Sequence, residues 1–421
     1  MNKEDYKIHI IGAGVSGLIA ARVLEDKGYR PVILEATDRV GGRVKTDSVD
    51  GYQLDHGFQV LLTAYPAAQK FLNLKALDLQ YFLPGAVLFK DGNKRTIGDP
   101  LRSLSLLFPT LISGVGTFSD KLKILKLNKL LKKTTTNKIF KKGEKTTLQY
   151  LIDFGFSKEI ISQFFTPFFS GIFLEPYLKT SSRMFEFVYK MFGEGYASLP
   201  KSGIEAIPKQ LKANLKSTQY VFNTAVSRIE DGKIVLKNGT ELVSHFTIVA
   251  TDPRQMISNL KNQQTTWKSC DTFYFETEAR VIDKPLIGLV ADRESLINNI
   301  FYHTSIATDT TSKREVLSVT VVKDHELNDT DFQKEIEEEL STLCNIKVIR
   351  CLKRYRINHA LPNVSNIQYD LSPSETKIKD TIFLASDYLL NGSLNAAMLS
   401  GERAAQGLVE VLEESPNLSQ F

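Results

Sequence analysis

Residues 8–43, IHIIGAGVSGLIAARVLEDKGYRPVILEATDRVGGR, decide the fold. An apolar β-type run, Ile8 to Ile11, leads into Gly12, Gly14 and Gly17 at G-x-G-x-x-G spacing. A helix-forming stretch follows from Leu18 to Lys27, and Gly28 can close it. Pro31 to Leu34 reads as a second strand with Glu35 at its end. In this order the glycines permit a tight turn, close approach to a pyrophosphate and close helix–strand packing. The helix start, with Ser16, offers free amides to a diphosphate. A carboxylate after the second strand accepts hydrogen bonds from a ribose diol and repels a 2′-phosphate. The stretch therefore predicts a dinucleotide site of the non-NADP kind.

Composition narrows the class. The 421 residues are 42% apolar and 24% charged, ordinary for a folded globular protein of about two domains. Net charge is +5, but residues 119–145 alone carry +8, leaving −3 elsewhere. The excess belongs to one segment, which argues against a nucleic-acid partner. Cys270, Cys344 and Cys351 are widely spaced, without C-x-x-C, which suggests a reducing compartment and no dithiol relay. The histidines show no metal-ligand spacing, so no metal is expected. The start MNKEDYK enters a strand at once, and no run of eighteen apolar residues exists. No secretory signal or spanning helix is expected, and a cytoplasmic location follows.

Three further motifs are distinctive. ATDRVGGRVKT carries Ala36, Arg39, Gly41, Gly42 and Arg43. YQLDHGFQVL contains Asp55 to Gln59. Near the other end, TIFLASDYLLNGSLNAAMLSGERAAQGL has a strand, Asp387 at its close, then Gly392-Ser393 opening an alanine-rich helix. On these motifs the chain resembles the flavin-containing amine oxidase and phytoene desaturase superfamily over nearly its full length.

The resemblance implies an α/β protein, a Rossmann-like FAD-binding domain interleaved with a mixed α+β substrate domain. The former would comprise 1–75, 196–265 and 345–421, the latter 76–195 and 266–344. It implies non-covalent FAD held by Gly12, Gly14, Ser16, Gly17, Glu35, Ala36, Arg39, Gly42 and Arg43. Gly57, Phe58 and Gln59 would contact the flavin, and Val226 the adenosine. Asp387 would bind the ribityl chain. The helix start at Ser393, Leu394, Asn395 and Ala397 would face the pyrimidine edge. Ser386 stands where the family has glycine. No cysteine lies in the last loop, so no thioether link is expected there. His56 could form a histidyl link in principle, or serve as a hydrogen-bonding residue.

Between the anchors, Pro84, Gly85, Gly92, Gly98, Pro100 and Pro109 break the chain into short pieces. Residues 103–118 are uncharged. SDKLKILKLNKLLKK then predicts a helix with Ser119 as N-cap. Ile124, Leu127, Leu130 and Leu131 share one side, and lysines spread over the other. Residues 119–133 could lie on an anionic membrane or pack as a solvated helix. Residues 148–192 are rich in phenylalanine, as core or as the wall of an apolar substrate cavity. GIEAIPKQLKANL, 203–215, reads as a helix despite Pro208. Residues 226–250 read as strands joined by Asp231-Gly232 and Asn238-Gly239 turns. FYFETEARVI, NIFYHTS and EVLSVTVV predict a second sheet, followed by a charged helix from Asp331 to Cys344.

Three functional classes stay open on this basis. The first is an FAD-dependent oxidoreductase taking hydride from a hydrophobic small molecule, such as an isoprenoid-like compound to be desaturated. The second is an FAD-dependent amine oxidase releasing peroxide, disfavoured by a last motif with Tyr388 as its only aromatic. The third is a non-catalytic flavin- or lipid-binding protein at a membrane surface. Lys268 and Lys284 fall in the region where amine oxidases keep a lysine, but neither sits in a matching motif, and no catalytic residue is assigned.

Overall fold

The structure is a computed structural model that describes residues 2–98, 114–257 and 266–414. Its first layer is a five-stranded parallel sheet in the order Gln219–Val221, Val32–Leu34, Ile8–Ile11, Phe246–Val249, Ile382–Leu384. Ile10 is registered with Ile33 on one side and Ile248 on the other. Helices, among them Val15–Asp26 and Leu394–Glu414, cover one face, and a three-stranded antiparallel sheet, Val226–Glu230, Lys233–Leu236 and Glu241–Val243, covers the other. With both faces covered, the central strands are apolar throughout rather than alternating. All four residues of Ile8–Ile11 are buried. Even His9 is inside, with Nδ1 2.8 Å from the Ser244 hydroxyl, and burial lowers its pKa to about 4.

The helix Val15–Asp26 begins three residues before the apolar pattern suggests, because Gly14 already serves as its N-cap. The helix Leu394–Glu414 lies beside it. A Cβ on Gly401 would stand 2.2 Å from the Ser16 carbonyl oxygen. The two backbones therefore touch, and both helices start at the same end of the sheet.

The second layer is a seven-stranded sheet. Its order is Val348–Pro362, Trp267–Thr277, Glu315–Val321, Ile297–Tyr302, Ile287–Val290, Gly85–Lys90, Asn93–Gly98. All neighbours are antiparallel except Ile287–Val290 with Gly85–Lys90. The helix Asp329–Cys344 packs Phe332, Ile336 and Leu340 against Phe273, Phe275, Leu317 and Val319. Phe164 and Phe168 pack against Leu88 and Leu289.

Several details depart from the sequence expectations. Val348–Pro362, assigned by position to the first domain, is an edge strand of this second sheet, paired along Trp267–Thr277. The β-run through FYFETEARVI stops at Thr277. The lysine-rich helix runs Phe118–Lys133 and is capped by Thr117, not Ser119. Thr117 accepts from the Asp120 amide while Asp120 accepts from the Thr117 amide, a reciprocal box that fixes the start. On that helix Leu127 and Leu131 are buried, whereas Leu130 is exposed. The helix at Ala206–Asn214 holds Pro208 in its first turn, where no amide partner is lost. Both expected turns join Val226–Glu230, Lys233–Leu236 and Glu241–Val243. The part of the uncharged run at 103–113 lies outside the described residues.

Candidate cofactor and substrate cavity

One cavity of about 2490 Å³ extends from the ends of the parallel strands to the second sheet. Small-molecule pockets are commonly about 300–1,000 Å³, so this one has room for two ligands side by side.

At its front the glycine turn is built for close approach. Gly12 adopts φ +104, and a Cβ there would press on the Ala250 carbonyl. Gly14 and Gly42 face each other: a Cβ on Gly42 would lie 3.2 Å from the Gly14 Cα. The first helical bond runs from the Leu18 amide to the Gly14 carbonyl, so earlier amides have no helical acceptor. Glu35 is tied to this turn. Its Oε2 accepts from the Ala13 amide at 2.7 Å, and its Oε1 from the Thr37 amide and hydroxyl at 2.8 Å.

At the rear, Arg43 donates from Nη2 to Asp387 Oδ1 at 2.5 Å and from Nη1 to the Ala360 carbonyl. Its guanidinium also lies over the Trp267 ring, 5.4 Å from the centroid. Ser386, the departure from the family pattern, donates its hydroxyl to Asp387 at 3.2 Å. The Ser393 hydroxyl accepts from the Ala396 amide and so caps the last helix. Its first helical bond runs from Ala397 to the Ser393 carbonyl.

Most expected site residues line this cavity: Gly12, Gly14, Ser16, Glu35, Ala36, Gly42, Arg43, Gly57, Phe58, Gln59, Val226, Asp387, Ser393, Leu394 and Ala397. Three do not. Gly17 packs behind the turn, where a Cβ would meet the Gly12 carbonyl at 2.1 Å. Arg39 turns to Asp47 and Glu205. Asn395 is buried, its Oδ1 accepting from the Ala67 amide at 3.0 Å. Arg43, expected to help hold FAD, is on the wall and paired with Asp387. His56 is on the wall, with Nε2 2.8 Å from Asp47 Oδ2 and its ring 4.6 Å from that of Tyr355.

The far half of the cavity is rich in aromatic rings, with charged side chains such as Lys145, Glu175 and Lys190 also on its wall. Phe164, Phe168, Phe169, Phe173, Tyr189 and Phe192 face it, while Phe165, Phe185 and Phe187 belong to the core. Between the halves stands Lys268. Its ammonium donates to the Phe173 carbonyl and the Thr180 hydroxyl, both at 3.0 Å. Burial pushes its pKa down, against the opposing pull of Glu175. Lys284 is exposed and off the cavity. The sequence signal for Lys268 was a cation at the start of a β-run that is otherwise largely uncharged, and only the pairing of that run shows which way it faces. Tyr388 does not line the cavity.

A sequence profile described as flavin containing amine oxidoreductase matches residues 15–409. The chain belongs to this family. An L-amino-acid oxidase from Trimeresurus stejnegeri is 31% identical over 156 residues, 35% of this chain and 30% of that protein. Another from Pseudechis australis is 25% identical over 273 residues, 59% of this chain and 51% of that one. The chain thus spans about half or less of these relatives' lengths. A solved CLA-producing fatty acid isomerase from P. acnes superposes with a TM-score of 0.72 at 16% identity, covering 96% of this chain and 99% of that one. Cyclohexylamine oxidase from Brevibacterium oxydans gives 0.68 at 15%, covering 97% and 100%. At such identities the likeness establishes the fold.

Family membership implies a flavin cofactor, and the residues of this chain fit one. The facing glycines leave a cradle that any side chain would fill. Two helix starts supply amides for anionic groups, and Glu35 and Asp387 supply acceptors for hydroxyls. Among the described residues, no His, Cys, Asp or Glu cluster could hold a metal ion.

Proposed function

We propose that this oxidoreductase holds FAD non-covalently and removes hydride from a hydrophobic small molecule, such as an isoprenoid-like compound that is thereby desaturated. The observation that carries this is the continuity of one cavity, from glycine turn to phenylalanine-lined chamber. Glu35 would accept from the adenosine ribose, and Asp387 from the ribityl hydroxyls. The bound flavin supplies a hydride acceptor. The chain's own share is placement. The phenylalanines bind an apolar body and exclude water, which strengthens polar contacts inside the closed site. Lys268 stands at the junction and fixes the Phe173 carbonyl and Thr180 that border it.

An amine substrate is the second possibility, with peroxide as co-product. It is favoured by Glu175 on the cavity wall, a carboxylate suited to an ammonium group. It is disfavoured by the absence of Tyr388 from that wall.

Anaerobic mixing of the purified yellow protein with candidate donors separates the two. Bleaching of the flavin band by an apolar alkene or polyene, and not by amines, is the expected result. Bleaching by amines alone, with peroxide on admitting air, would give the site to amine oxidation. A protein that releases no FAD on denaturation would overturn both.

A further inference from the structure

We propose that the outward face of the helix Phe118–Lys133 is a docking surface for an anionic lipid bilayer, onto which the cavity mouth opens. The helix has two opposed faces. Asp120, Leu127 and Leu131 are buried and fix one face to the protein. Asp120, its one acid, is fully occupied there, accepting from Thr117 and from the Ser157 amide and hydroxyl. The opposite face carries Phe118, Leu122 and Leu125, which are 76%, 52% and 49% exposed. Their spacing of four and three residues makes them one stripe. Lys126, Lys129, Lys132 and Lys133 are exposed around it. A single exposed leucine needs no explanation, but an apolar stripe edged by lysines is the pattern of a helix lying in a membrane interface.

The mouth gives this face its meaning. Phe118, Leu122 and Leu125 also border the cavity, with Lys132 beside them. An apolar molecule leaving the bilayer here would enter the phenylalanine chamber without crossing water. That route rests on the proposed hydrophobic substrate, whereas the lipid contact itself does not. Among the described residues no helix is long and apolar enough to cross a membrane, so the contact would be peripheral. Charge selects the occupant. A nucleic acid would engage the lysines through phosphates but leave the apolar stripe unused. A second copy meeting this face symmetrically would set lysine against lysine.

Flotation of the full-length protein with vesicles tests this. Binding is expected to vesicles of phosphatidylcholine mixed with phosphatidylglycerol, not to phosphatidylcholine alone, and should weaken in high salt. Replacing Lys129 and Lys133 by Gln removes two charges, each contributing about 1 kcal/mol near an anionic surface, and should cut partitioning roughly 30-fold. Leu122→Ser with Leu125→Ser should lower it by at least about 10-fold, because burial of two leucines is lost. All these side chains face solvent, so melting temperatures should not move. Failure of the unaltered protein to bind anionic vesicles would overturn the proposal, as would binding indifferent to salt and to the lysine changes. So would a dimer in buffer that the leucine changes abolish. Normal flavin bleaching by a soluble donor alongside failed flotation would leave the hydride chemistry standing.

Discussion

Asp55 shows how much a single position can carry. It sits wholly inside the protein, its Oδ1 accepting from the Thr46 hydroxyl at 2.6 Å and the Ile204 amide at 3.0 Å. Burial, aided by the nearby Glu205 charge and opposed by those two hydrogen bonds, pushes its pKa up to about 6. The folded state then holds this proton more tightly than the unfolded chain, so stability falls as pH rises from about 4 to 6. One pKa unit corresponds to about 1.4 kcal/mol, which puts the loss near 3 kcal/mol above that window. His9 and His303, both lowered to about 4 by burial, slope the opposite way, because each must charge as pH falls. The test is therefore a difference. Asp55→Asn keeps the acceptor oxygen and removes the titration. Melting temperatures of the two proteins should converge at pH 4, and the variant should be the more stable by up to about 3 kcal/mol at pH 8. Parallel curves across pH 4–8 would refute the assignment. The same neighbourhood holds Arg39, which lies four residues after Glu35 and was expected among the residues holding FAD. Asp47 and Glu205 are brought against it only by the fold, and they occupy its guanidinium.

At the scale of elements, the strands and the long helices were legible because burial imposes period. The continuous run Ile8–Ile11 and the paired turns at Gly232 and Gly239 read directly from the chain. Contacts between elements were not, since nothing in a helix names its partner. Gly401 is the clearest case. Within Leu394–Glu414 it weakens the helix by about 1 kcal/mol relative to alanine, a cost that only close packing explains. The packing is backbone against backbone, on the Ser16 carbonyl. Gly401→Val should force the two helices apart. Overpacking of this kind costs about 1–3 kcal/mol, and both helix starts that line the cavity would shift. Expected outcomes are a lower melting temperature and a lower ratio of flavin to protein by absorbance. Gly193→Ala is the control, because an added Cβ there meets no atom within 4 Å. It should leave both quantities unchanged or slightly improved.

The whole molecule is closed on itself by residues far apart in sequence. Arg43 and Asp387 are separated by 344 positions and meet at 2.5 Å, with Trp267 of the second sheet over the guanidinium. Each motif was visible alone, and their adjacency followed from the resemblance. That they bond to one another did not, since a phosphate partner for Arg43 and a hydroxyl partner for Asp387 each satisfied the pattern. Asp387 is nearly inaccessible, its side chain 4% exposed, whereas that of Arg43 is 40% exposed. Losing the arginine therefore strands a buried carboxylate, while losing the acid frees a cation that can turn to water. Arg43→Leu should destabilise by about 1–3 kcal/mol, less than for a fully buried pair because solvent reaches the guanidinium. Asp387→Asn should cost less, since the Ser386 hydroxyl can still donate to the amide oxygen. The double variant should be more stable than the sum of the singles predicts, with about 1–2 kcal/mol of coupling in a urea-unfolding cycle. Additive singles would mean that the two ends are held together by the helices and sheet alone, and that this ion pair only orients groups around the cavity.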